Sequence, residues 1–207
     1  MTISVYTDDR RFFHLYFHIQ ESPRFPVTQI PLTWLDRAIP LQTWGWFPYL
    51  SLWLYTSLPP AFQPDFWSLV YYGVWIGVVC GLGLLCFFFW PTAIPEAIVP
   101  PQANFAWLHG IDLARNACPS LHVASAVFSS LWLHRQLRLV GAGLPWQSLN
   151  FLWGVTIVYS TLVTKQHVVW DVVAGIALGG CGAVASLYAA RDRKRIFRGI
   201  YDEPQRF

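Results

Sequence analysis

From Phe66 to Trp90 the chain runs 25 residues without one acidic or basic side chain, FWSLVYYGVWIGVVCGLGLLCFFFW. About 20 apolar residues of helix are enough to cross the hydrocarbon core of a bilayer. Inside lipid each backbone N–H and C=O must find its partner within the protein, so such a stretch folds as a helix. Composition extends this reading to the whole chain. The 207 residues are 55% hydrophobic, 17% aromatic and 12% charged, whereas a soluble domain carries about 25% charged residues. Mean hydropathy is +0.38. The expected fold class is all-α, an integral membrane helical bundle of about five to six transmembrane helices.

Five stretches are candidate spans: Leu41 to Leu58 with a kink at Pro48, Phe66 to Trp90, Pro119 to about Leu133, a segment within Trp146 to Thr164, and Val168 to Ala190. Residues 1–40 are too polar to span and read as an N-terminal interfacial segment, 41–190 as the transmembrane bundle, and 191–207 as a basic tail. The pairs Gly77/Gly81 and Gly175/Gly179 have the small-x-x-x-small spacing of closely packed helices. Lys and Arg in short loops mark the cytoplasmic side. Arg135 and Arg138 follow the third span, and the stretch RDRKRIFRG from Arg191 to Gly199 holds five basic residues. Those two regions are expected to be cytoplasmic, with the loop before Pro119 and the turn after Thr164 outside. Five spans then place the N-terminus outside too, although Arg10, Arg11, Arg24 and Arg37 pull the other way.

Some classes fall away early. A net charge of +3 with no basic stripe argues against nucleic acid as a partner. Cys80, Cys86, Cys118 and Cys181 show no C-x-x-C spacing and are expected to be free thiols. The opening MTISVYTDDRRFFHLYFHIQ does not look like a cleavable signal. His14 and His18 stand four apart in a polar segment and read as surface residues, His109 as a weak candidate for a substrate rim, and His134 as interfacial.

The chemistry concentrates in NACPSLHVASA (Asn116 to Ala126) and STLVTKQHVVWDVVAG (Ser160 to Gly175). His122 stands at the outer start of the third span and His167 at the outer turn between the fourth and fifth. Asp171 follows His167 at i+4 and shares its helix face. Two antiparallel crossings bring all three to one depth on one side. Ionisable groups inside spans are costly and usually face a bundle interior. A carboxylate on one imidazole nitrogen fixes the tautomer and leaves the other nucleophilic. A second histidine can donate a proton to a leaving oxygen. Lys165 can neutralise an anion, and Ser120 with the amides that open the third helix can hold phosphate oxygens. The set suits phosphoryl transfer through a phosphohistidine. His122, His167 and Asp171 are also possible metal ligands, a competing reading at this point.

Pro119-Ser120-Leu121-His122, followed by Ser160, His167 and Asp171 in the S-x6-H-x3-D spacing, resembles the type 2 phosphatidic acid phosphatase superfamily. The P-S-L-H form is most similar to its inositol phosphorylceramide synthase-like branch. The arginine of the third family motif is replaced by Thr161, and the first motif, K-x6-R-P, is absent. The resemblance implies a membrane-embedded lipid phosphatase or phosphotransferase, cleaving a phosphoric monoester or diphosphate, with its site facing away from the cytoplasm and no metal or other cofactor. It implies His167 as nucleophile, Asp171 as its partner and His122 as general acid. Lys165, Ser120, Asn116, Arg115 and Arg37 are the candidates to replace the missing arginines in binding a lipid phosphate. A head-group transferase is the alternative activity, and a non-catalytic membrane protein a third reading. The expected setting is a bacterial inner membrane.

Overall fold

A computed structural model describes residues 23–95 and 117–201, the last eleven by backbone alone. Arg115, Asn116, His14, His18 and His109 lie outside the described residues. The described chain is mostly helical: α1 (Trp34–Ala38), a 3-10 turn (Thr43–Gly45), α2 (Trp46–Leu50), α3 (Leu52–Ala61), α4 (Phe66–Phe89), α5 (Leu121–Leu139), α6 (Leu144–Val163) and α7 (Val169–Tyr201). A two-residue parallel ladder joins β1 (Thr28–Gln29) to β2 (Thr92–Ala93), in register Thr28 with Thr92.

Two of these helices are long and apolar enough to cross a bilayer by themselves, α4 and the Val169–Ala190 part of α7. The start of α4 is fixed by Asp65, whose side chain accepts from Ser68 N at 2.8 Å. Helices α5 and α6 have similar length but are less apolar. For α5 the reason is its place at the centre of the bundle. Val123, Ala124, Ala126 and Phe128 are wholly buried and meet other helices, so the helix needs no lipid-soluble face. The outward faces of α4, α6 and α7 are apolar instead, with Trp67, Val74, Leu82, Phe151, Leu152, Val173 and Val184 exposed. An apolar surface on this scale suits lipid rather than water.

The first expected span is not one helix. Leu41 to Leu58 forms the 3-10 turn and then α2 and α3, which are separated at Ser51. The Ser51 hydroxyl donates to the Pro48 carbonyl at 2.7 Å, competing for the acceptor that would continue the helical ladder. Pro59 and Pro60 stand in the last turn of α3. There the Pro59 carbonyl accepts from Gln136 Nε2 of α5 at 2.8 Å.

Helices α5 and α7 run parallel and close. A Cβ on Gly175 would lie 2.6 Å from the Ser120 carbonyl oxygen, and one on Gly179 would collide with the Ala124 backbone. The close packing expected at Gly175/Gly179 is therefore present. That expected at Gly77/Gly81 is not, because both face open space. Identical spacing yields opposite outcomes because α4 turns Val79 and Gly83, not these two glycines, toward its neighbours. Buried polar pairs add register: Tyr55 Oη to Asn150 Oδ1 at 2.7 Å, and Trp132 Nε1 to Ser186 Oγ at 2.9 Å. At the end of the bundle where α5 and α7 begin, Ile30, Ile94, Ala117 and Val168 form a small apolar cap. Ile30, with Leu32 against it, thereby ties the segment before α1 to the bundle.

Replacing Gly179 with Ala is expected to overpack this contact at a cost of about 1–3 kcal/mol. Thermal unfolding of detergent-solubilised protein should show a lowered midpoint for Gly179→Ala and an unchanged or raised one for Gly77→Ala.

Candidate active site

Parallel packing places the starts of α5 and α7 side by side. Ser120 caps α5: its Oγ accepts from Val123 N at 3.2 Å. Its own N–H donates to the Asp171 carbonyl at 3.1 Å, tying the two helix starts together. That amide is consequently not open to an anion, contrary to expectation, and the hydroxyl oxygen already serves the cap.

Between α6 and α7 the chain turns in five residues. Gln166 N and His167 N both donate to the Thr161 carbonyl, at 3.1 and 3.2 Å. Lys165 takes φ +59°, a left-handed conformation uncommon outside glycine and held only where surrounding contacts enforce it. Val168 N donates to Asp171 Oδ2 at 3.0 Å, so this carboxylate reaches back over the first turn as in a capping box.

His167 Nδ1 lies 3.4 Å from the same Asp171 Oδ2, with side-chain exposures of 10% and 0%. The separation is within ion-pair reach but does not meet hydrogen-bond geometry. Catalytic hydrogen bonds are often loose before substrate arrives. His122 joins the pair. It stands two residues after Ser120, whose backbone bond to Asp171 brings the two helix starts together. His122 Nε2, His167 Nδ1 and Asp171 Oδ1 are buried without a hydrogen-bond partner among the described residues. Orphaned buried polar atoms are rare in folded proteins, and each calls for a physical explanation. Among the described residues no three His, Cys, Asp or Glu side chains are grouped to hold a metal ion.

Two residues not anticipated from sequence stand beside this cluster. Tyr49 of α2 stacks on His122, ring centroids 4.0 Å apart and 15° from parallel, and its backbone hydrogen-bonds to the same imidazole. Asp36 of α1, only 4% exposed, accepts from Val169 N at 2.9 Å. The Thr33-x-x-Asp36 pattern was a readable capping signal, and the capping box is present. Nothing local could have announced its reach to α7.

The remaining expected residues are distributed as follows. The Lys165 ammonium donates to the Asp36 carbonyl at 2.7 Å and to the Ile39 carbonyl. Burial lowers its pKa from the ordinary lysine value, while the Asp36 charge pushes it back up. Arg37 is exposed on α1, next to Asp36. Ser160 is fully buried and donates to the Ile157 carbonyl at 2.6 Å. His134 lies near the opposite end of α5.

The family model described as PAP2 superfamily matches residues 88–195, a range that holds both histidines and Asp171. The chain belongs to the PAP2 superfamily. Membership makes it one of a family of phosphatases and phosphotransferases. No curated protein and no solved structure matches it. The PAP2 match covers β2 and α5–α7, whereas α1–α3, with Asp36 and Tyr49, precede it.

Tyr49→Ala is expected to uncover His122, and Tyr49→Phe to keep it covered. Modification by diethyl pyrocarbonate, mapped by mass spectrometry, should label His122 faster in the alanine variant only.

Proposed function

We propose that this protein is a membrane lipid-phosphate phosphatase that works through a phosphohistidine. The reading is carried by the buried His167–Asp171 pair, 3.4 Å apart, with the unpartnered His122 Nε2 beside it. Asp171 faces Nδ1 of His167, which leaves Nε2 as the attacking atom. Attack on phosphorus forms the N–P bond as the ester P–O bond breaks. His122 gives a proton to the leaving oxygen, and water, deprotonated by the same residue, then releases phosphate.

An uneven distribution of charge supports placing the phosphate at the start of α5. The first amides of α7 are already occupied by carboxylates, Val168 N by Asp171 and Val169 N by Asp36. The start of α5 is capped by the neutral Ser120 hydroxyl. An anion therefore meets the positive end of α5 with no fixed negative cap upon it. Lys165, whose ammonium is held by the Asp36 and Ile39 carbonyls, is a candidate to supply positive charge to the phosphate. Arg37, Arg115 and Asn116 are the further candidates for phosphate binding.

The proposed topology has five crossings, with the interrupted α2–α3 element as the first and the histidines on the extracytoplasmic side of a bacterial inner membrane. The basic cluster after Ala190 and the pair Arg135 and Arg138 support that orientation. A second reading, transfer of a phosphorylated head group to a lipid hydroxyl, is favoured by P-S-L-H. Leu121 fills the space against Gly83 of α4, so the motif's third position is a packing residue here.

The test offers purified protein a panel of lipid phosphates and diphosphates with chelator present and follows released phosphate. His167→Ala is expected to lower turnover by about 10⁴-fold or more, Asp171→Asn by about 10⁴-fold, and His122→Ala by about 10²–10⁴-fold. A wild-type enzyme that turns over undiminished as His167→Ala overturns the nucleophile. Product formed only when donor and acceptor lipids are paired moves the activity to transfer.

A further inference from the structure

We propose that Asp36 is a positioning residue for His167, acting as a clasp that closes on both sides of the turn carrying it. This rests on the reading of His167 as the nucleophile. The carboxylate Oδ1 accepts from Val169 N, two residues after His167, at 2.9 Å. The backbone carbonyl of the same residue accepts from Lys165 Nζ, two residues before His167, at 2.7 Å. Asp36 Oδ2 is held in turn by Thr33 N and Thr33 Oγ1, both at 2.7 Å.

Capping the five-residue α1 does not account for this arrangement. Burying a carboxylate is expensive unless donors surround it. Oδ2 alone makes both bonds to Thr33, and an exposed cap would serve α1 equally well. Oδ1 instead crosses 133 positions of sequence to α7. The Lys165 backbone stands in the left-handed region, which costs energy unless neighbouring contacts hold it. Its ammonium is anchored by two carbonyls of the α1 segment, those of Asp36 and Ile39. The strained residue and the first amide of α7 are thus fastened to one point, with His167 between them. The Asp171 carboxylate faces the imidazole 3.4 Å away, and the clasp fixes where the ring's backbone sits.

The experiment uses full-length protein in detergent with Asp36→Asn, Asp36→Ala, Lys165→Met and the Asp36→Ala/Lys165→Met double variant. Three quantities are read: kcat and KM on the lipid phosphate that wild type prefers, hydrogen exchange of the peptide covering residues 164–172, and unfolding temperature. A reacting group displaced by about 1 Å can lose about 10²-fold in rate. The expected result is a kcat loss near that size for Asp36→Ala with KM within about threefold. Exchange over 164–172 should rise, and the double variant should be little worse than either single one, as expected for groups acting as a unit. Asp36→Asn keeps one acceptor oxygen for Val169 N and should recover part of the rate, which guards against simple misfolding. Singles that keep kcat within twofold, a double variant that loses the product of the two, or unchanged exchange would each overturn the clasp. The exchange measurement needs no turnover. Wild type inactive on every lipid, together with faster exchange in Asp36→Ala than in Asp36→Asn, would sink the functional reading and leave the clasp standing.

Discussion

The close parallel contact between α5 and α7 governs the rest of the molecule. Only the absence of side chains at Gly175 and Gly179 lets the two backbones approach this far. That approach permits the Ser120-to-Asp171 backbone bond and brings two helix starts to one level. Because both helices run the same way, α6 must carry the chain back between them. The return has to end in a tight turn, and His167 rides on it. A less intimate contact would leave His122 and His167 on separate surfaces.

The two helix starts are electrically unlike, although they are neighbours. Asp171 and Asp36 give α7 two carboxylates for its first amides, which offsets the positive end of its dipole. Helix α5 has a hydroxyl cap only. One helix end thereby becomes a rigid support, while the other keeps its attraction for anions. Such a division suits the proposed reaction, in which phosphate is held close to His167 without the histidine's own helix competing for it.

The parts legible in sequence were those set by short-range periodicity. His167 and Asp171 share a face because four residues make about one helical turn, and the boundaries of α4 follow from an uninterrupted apolar run bounded by Asp65 and Pro91. Spacing failed where orientation decides. Gly77/Gly81 and Gly175/Gly179 have one pattern, but which side of a helix meets a neighbour is a property of the assembled bundle. The interruption at Ser51 coincides with its hydroxyl bonding the Pro48 carbonyl, which hydropathy does not register. Tyr49 was hidden among the abundant aromatics of a lipid-soluble chain, and Asp36 among ordinary polar residues. Their roles arise from contacts closed across long stretches of sequence.

The recognisable part of this protein is smaller than its working unit. The family pattern begins at residue 88, yet the ring stacked on His122 and the carboxylate bonded to the turn of His167 both come from earlier in the chain. A graft of residues 88–195 into a foreign helical scaffold would transplant the reactive groups and leave their supports behind. Relatives could therefore share the whole motif and still differ in rate or substrate range through a leading segment that no motif describes.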